Sequence, residues 1–182
     1  VCAHKYSDIS EYGYGVSLIN DCKYGHSIHD GVMTLTLLKS GTYPDPTADK
    51  CEHYFTYSLY PHAGDYREAG TIKTAYELNN PMTALTIDKH SGKLADSYSL
   101  ISVKDENVVI ETIKKAENGD GIIVRMYESF NRRTNTVLKT GFGFESVTLC
   151  DMLENDLKVI SAKENSIPIT LKPFEIVTIK IR

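Results

Sequence analysis

Residues 43–62, YPDPTADKCEHYFTYSLYPH, gather acids, histidines and tyrosines, the side chains from which hydrolytic or sugar-binding chemistry is built. Glycoside hydrolysis needs two carboxylates across a sugar. Asp45 and Asp49, with Asp21 and Asp65 elsewhere, are available, but nothing in their spacing selects a pair. Asp45 and Asp49 bracket a proline-fixed loop and serve equally well as caps for turn amides. Tyr43, Tyr54, Tyr57 and Tyr60 suit stacking on sugar faces in a chain without tryptophan, and suit the core and edges of a sandwich just as well. Cys51 and His53, two apart on an extended segment, can face one side; a metal there would need further ligands, with Asp49 or His62 in range. A second polar group lies at 20–25, where Asn20, Asp21 and Lys23 place an amide, an acid and a cation in one turn. The chain has no GxSxG, no HExxH, no glycine-rich phosphate loop and no Cys-His pair of known form. A catalytic centre does not follow from these residues alone.

The elements that must position these groups are mostly strands. Pro44 and Pro46 fix the backbone on either side of Asp45. Beyond that loop, Tyr54, Thr56, Ser58 and Tyr60 alternate with Phe55, Tyr57 and Leu59, which predicts a strand over 54–60. This is either a ligand-facing loop and strand or a long surface connection. Earlier, 15–19 alternate and stop at Asn20-Asp21, and Asp30-Gly31 marks a tight turn before a strand over 32–38. Asp65 and Glu68 have capping-box spacing, and Ala69, Ile72, Ala75 and Tyr76 repeat at helical spacing before Asn79-Asn80-Pro81. They predict one linking helix over about 66–80. From Thr83 onward short strands are expected at 85–87, 99–103, 108–113, 121–128, 136–138, 146–149, 159–160, 167–171 and 174–181. Asn118-Gly119-Asp120-Gly121 reads as a hairpin turn. Pro168 and Pro173 confine their strands to edges or starts. The last strand has one buried and one mixed face. The fold class is all-β: 1–82 with the helix, then a compact antiparallel sandwich over 83–182.

A chain of 182 residues with net charge -4 offers no concentrated basic face for nucleic acid. Lys114-Lys115 and Arg132-Arg133 sit beside turns as solvated corners. No apolar run reaches membrane-spanning length. Four scattered cysteines (Cys2, Cys22, Cys51, Cys150) lack the close pairs of a structural zinc site, and read as buried free thiols of a reducing compartment.

The ordered motifs YGVSLINDCKYG, PDPTAD, HYFTYSLYPHAGDYREAG and AYELNNP resemble the C-terminal part of glycoside hydrolase family 38 α-mannosidases, closest to the cytosolic and vacuolar branch and its bacterial relatives. KKAENGDGIIVRMYE and LKPFEIVTIKIR resemble the last β-sandwich of those enzymes. The resemblance implies that 1–82 end a large mutarotase-like β-sandwich domain. It implies a retaining α-mannosidase whose aspartate nucleophile and zinc lie in an N-terminal catalytic domain of the same polypeptide. No segment here matches those residues, so no catalytic or metal role and no cofactor falls on this chain. The matching loops supply expected substrate-lining residues: Asn20, Asp21, Lys23 and Tyr24, then Asp45, Asp49 and His53. Expected partners are the catalytic domain and an α-mannoside or oligosaccharide, with a cytoplasmic location. A β-domain lacking most of its sheet should expose apolar surface or an unpaired edge, which favours self-association into a homo-oligomer. The alternatives are a free-standing carbohydrate-binding module and a purely structural or oligomerisation domain.

Overall fold

The alternation in the first twenty residues folds as a hairpin, β1 (Tyr6–Glu11) and β2 (Tyr14–Asn20). The computed structural model describes residues 1–182, which divide into two units, Val1–Asp88 and Lys89–Arg182. In the first unit a second hairpin follows, β3 (His26–His29) and β4 (Val32–Leu35). It turns at Asp30-Gly31, both with positive φ as a tight hairpin turn demands. β5 (Tyr57–Ala63) then pairs with the free side of β2, giving a three-stranded antiparallel sheet in the order β1-β2-β5.

The register puts Asp8, Ser17 and Tyr60 in one row and Ser10, Gly15 and His62 in the next, on a single face. Helix α1 (Thr71–Asn79) packs on that face with Ile72 and Ala75 buried. Thr71 Oγ1 lies 2.8 Å from Ser17 Oγ, and the Tyr60 hydroxyl donates to the Ala69 carbonyl at 3.0 Å.

Several boundaries differ from the sequence reading. The helix begins at Thr71, not near 66. Asp65 and Glu68 do exchange capping bonds, Glu68 N to Asp65 Oδ1 and Asp65 N to Glu68 Oε2, each 3.3 Å. They close only one turn, because Gly70 is left-handed (φ 66) and the helix starts afresh after it. The strand expected at 54–60 starts at Tyr57 and runs through Pro61, tolerated because β5 is an edge strand. The strand expected to reach Leu38 stops at Leu35, where the four residues of β3 run out. Residues 85–87 form no strand and no neighbour pairs with them; an extended run needs a ladder partner.

The second unit holds eight strands: β6 (Ile101–Val103), β7 (Val108–Lys115), β8 (Ile122–Glu128), β9 (Thr134–Thr140), β10 (Val147–Cys150), β11 (Asp156–Ile160), β12 (Ser166–Leu171) and β13 (Ile176–Ile181). They form a five-stranded sheet, β11-β10-β13-β8-β7, and a three-stranded one, β12-β9-β6. Between them lies a core in which Val124, Met126, Leu138, Ile167, Leu171 and Ile179 are fully buried. Each such side chain contributes roughly 2 kcal/mol relative to exposure. The turn at 118–121 joins β7 to β8, and Pro168 sits on edge strand β12.

The last strand departs from expectation. On its mixed face Thr178 and Lys180 are buried too, each 3% exposed, and only Ile176 at the strand's start stays exposed. Residues 151–155 explain this. Lys180 Nζ donates to the Glu154 carbonyl (2.9 Å) and to Asp156 Oδ1 (3.0 Å), and Arg125 donates to the Met152 carbonyl (3.2 Å). A lysine is sheltered here because every donor contact is charge-assisted or backbone-directed.

Candidate functional site

β2 ends at Asn20, whose side chain is fully buried. Its Oδ1 accepts from the Lys23 amide (2.9 Å), its Nδ2 lies 3.4 Å from His26 Nε2, and its carbonyl accepts from Asn79 Nδ2 (3.0 Å). Asn20 therefore shapes the 20–25 turn and ties it to the end of α1. Asp21 joins this turn to the later loop: its amide donates to the Thr56 carbonyl (3.1 Å), and its Oδ2 accepts from the Thr56 amide (2.9 Å). Its Oδ1 is buried without a hydrogen bond. The neighbouring Cys22 side chain and the Thr56 amide hold the carboxyl below the usual carboxylate range. Lys23 Nζ sits 4.8 Å from the centre of the Phe55 ring, and Tyr24 stacks on His4 at 4.4 Å.

The proline loop is a set of self-satisfied turns. Asp45 Oδ1 accepts from the Thr47 hydroxyl (2.7 Å) and amide (2.8 Å), which lowers the acid's pKa, the hydroxyl contributing most. Asp49, left-handed at φ 60, accepts from the Ser40 amide (3.0 Å). His53 Nε2 lies 2.9 Å from the Asp49 carbonyl and 3.7 Å from Cys51 Sγ, so Cys51 and His53 do face one side. Neither Asp49's carboxylate nor His62 joins them, and nowhere do three His, Cys, Asp or Glu side chains converge to hold a metal ion. Asp21 and Lys23 thus meet Phe55 and Thr56, whereas Asp45 and the Asp49–His53 group keep to their own loop. Three of the four thiols (Cys2, Cys22, Cys51) are exposed and only Cys150 is buried. That corrects the expectation of buried cysteines: Cys2 lies on an isolated bridge to Gly25, Cys22 and Cys51 lie in bends, and only Cys150 lies on an inner strand of a sheet.

Sequence reasoning missed a cluster under α1. Asp8 Oδ2 accepts from Ser17 Oγ (2.6 Å) and lies 2.8 Å from His62 Nε2. The His62 and Asp8 side chains are only 3% and 9% exposed. Serine, histidine and aspartate together invite comparison with a nucleophilic triad, but the geometry is wrong. A triad needs the acid on one ring nitrogen and the serine on the other. Here both address Nε2, while Nδ1 faces the Ala63 carbonyl at 3.4 Å. With its Nε2 proton given to Asp8, His62 cannot take one from Ser17. The strand alternation carried the signal, since it puts Asp8 and Ser10 on one face of β1; that His62 lies opposite is set by pairing across 54 residues.

The second unit's buried acid, Glu128, is likewise committed. It accepts from Asn107 Nδ2 (2.8 Å) and from the amides of Phe130 (2.7 Å), Phe174 (3.0 Å) and Arg132 (3.2 Å). Burial pushes its pKa up, yet these donors outweigh that and hold it below its ordinary value. It fastens the loops at one end of the sandwich.

The architecture is thus an all-β scaffold with one helix and loop-borne polar groups, with no complete hydrolytic constellation of its own. Comparison with known proteins defines it further. The model of the glycosyl hydrolases family 38 C-terminal beta sandwich domain matches residues 107–179, and that of the family 38 C-terminal domain matches 1–47. Human α-mannosidase 2C1 is 37% identical over 184 residues, covering 98% of this chain and 18% of that protein. α-Mannosidase G of Dictyostelium discoideum is 38% identical over 187 residues, 99% of this chain and 17% of that one. An α-mannosidase structure from Enterococcus faecalis V583 shares the fold over the whole chain, with a TM-score of 0.77 at 23% identity and 21% of its own length covered. The chain belongs to glycosyl hydrolase family 38, as a C-terminal region, and spans less than a fifth of the length of the curated relatives it matches.

Proposed function

We propose that this chain is the C-terminal, non-catalytic part of a retaining α-mannosidase that removes terminal α-D-mannosides. The nucleophile and zinc then belong to an N-terminal catalytic domain of the same polypeptide. One observation carries the reading: identity of 36–39% across essentially the whole chain to proteins named α-mannosidase. The committed state of the buried Glu128 agrees with it, since general acid–base work needs a carboxylate free to address substrate. The 20–25 and 45–53 loops line the sugar site or brace the catalytic domain, with Lys23, Tyr24, Asp45 and His53 as the groups that reach outward. Asn20 serves by fixing the turn. A cytoplasmic location is part of the proposal, supported by the resemblance to the cytosolic and vacuolar branch and by the unpaired thiols. The exposed rings of Tyr43 and Tyr54 favour one rival, a sugar-binding module.

Hydrolysis of para-nitrophenyl α-mannoside tests the reading. The full-length protein should cleave it and the 182-residue chain alone should not. Asp21→Ala, Asp45→Ala and His53→Ala in the full-length protein should change kcat or KM, or lower its stability; unchanged kinetics and stability in all three would remove the loops from the site. Saturable binding of mannose oligosaccharides by the 182-residue chain would favour the module instead.

A further inference from the structure

Backbone bonds on both sides clamp the far end of the 20–25 turn. The Ala3 amide donates to the Tyr24 carbonyl (3.0 Å), the His26 amide to the Val1 carbonyl (2.9 Å), and the Thr36 amide to the Gly25 carbonyl (2.8 Å). The middle of the turn is tied to a side chain instead, since the Lys23 amide donates to the buried Asn20. Behind Asn20 lies the His26 ring, with Ser7 beyond it; the two residues are 4% and 7% exposed.

The two ends of this row fix where the His26 proton sits. At one end the Lys23 amide takes Asn20 Oδ1 at 2.9 Å, so Asn20 Nδ2 is the group 3.4 Å from His26 Nε2, and Nε2 is the bare, accepting nitrogen. At the other end the Ser7 hydroxyl gives its hydrogen to Met33 Sδ at 2.9 Å. Its oxygen therefore accepts from His26 Nδ1 at 3.0 Å, which carries the proton. Both ends demand the same tautomer. The bonds then run one way, from the Lys23 amide through Asn20 on β2, His26 on β3 and Ser7 on β1 to Met33 on β4. A proton on Nε2 would set donor against donor at Asn20. Besides Ser7 and Asn20, which do not titrate, the ring faces the Lys23 backbone and the Val1 ammonium. Burial pushes its pKa below the ordinary 6.5; the Lys23 backbone opposes that push and the Val1 ammonium adds to it.

We propose that neutral His26, protonated on Nδ1, is the positioning residue of the 20–25 turn: through Asn20 it sets the backbone at Lys23 and Tyr24, and a second proton on the ring releases them. The neutral ring is complete above the ordinary histidine value and is lost as pH falls through the lower folded one. The middle of the turn then loosens in acid while its far end stays clamped by backbone bonds. The consequence for mannosides rests on the functional reading above, in which Lys23 and Tyr24 reach outward; the state of the ring and of the turn does not.

Nitrogen-15 shifts of the His26 ring in the 182-residue chain read the proton directly. The ring should be neutral and protonated on Nδ1 at neutral pH. A ring protonated on Nε2, or charged at neutral pH, overturns the proposal. Protection of the Lys23 amide from hydrogen exchange should fall several-fold as His26 takes its second proton. His26→Gln, whose side-chain oxygen can accept from Asn20 but cannot be charged, should keep that protection over the same pH range, and His26→Leu should lose it at every pH. The same acid loss in His26→Gln as in the unaltered chain, or full protection in His26→Leu, also overturns the proposal. In the full-length protein, KM for para-nitrophenyl α-mannoside should rise several-fold as His26 becomes charged and stay level in His26→Gln. A wrong tautomer in a protein that cleaves the mannoside sinks this inference alone. A ring and amide that behave as stated, in a protein whose KM ignores them, sink only the reading of the turn as part of the sugar site.

Discussion

Glu128 in the second unit and Gly15 in the first show how single residues hold each unit together. Glu128→Ala strands the Asn107 amide and three backbone N–H groups, and a lost acceptor for several buried donors costs about 3 kcal/mol or more. Urea denaturation at neutral pH should show that loss. Glu128 is held below its ordinary 4.5 when folded, so its contribution is complete above that pH and fades as pH falls through the depressed folded value. Glu128→Gln should therefore flatten the acid limb of the second unit's stability curve. Gly15 acts by being small: a Cβ there would press on His62 Cε1 and come within 2.9 Å of Nε2. Because Asp8 pins that ring, Gly15→Ala should cost about 1–3 kcal/mol, read as a lower melting temperature. An Asp8→Asn, Gly15→Ala double variant that recovers stability would show that the pinned ring sets the cost.

Turns decide the elements. In the β7–β8 hairpin Gly119 and Gly121 both have positive φ (77 and 103), but they face different surroundings. A Cβ on Gly119 meets only the end of the Lys115 side chain at 3.7 Å, while one on Gly121 runs into the Ile181 carbonyl. Gly119→Ala should cost about 1 kcal/mol of backbone strain; Gly121→Ala should cost clearly more and disturb the β13 end, visible as a lower urea midpoint. The helix carries the contrary lesson. Its capping box was legible and forms, but Gly70 separates it from the helix, since nothing in the spacing of Asp65 and Glu68 says how many turns follow.

For the whole molecule the two units differ in how complete they are. The sandwich core draws only on residues from Ile101 onward. Residues 81–100 are exposed and carry neither helix nor strand. Brief trypsin treatment should cut at Lys89 or Lys93 and release a C-terminal fragment that keeps its β-sheet circular dichroism and melts cooperatively. A fragment that unfolds on cleavage would contradict an independent sandwich. The first unit has a thinner core of Leu18, Ile19, Ile72 and Ala75, with buried polar groups beside it.

The residues alone were enough for the all-β class, the second-unit strands, the hairpin at 118–121, the edge position of Pro168 and the family resemblance. Alternation and turn chemistry are local, and ordered motifs are read along the chain. What no local pattern held was the opposite side of each contact. Register put His62 onto Asp8, buried Asn20 beneath its own turn and tied Asp21 to Thr56. Those pairings also left Tyr14 and Leu59 facing outward. A period of two says which residues share a face, but only the assembled sheets determine what that face meets.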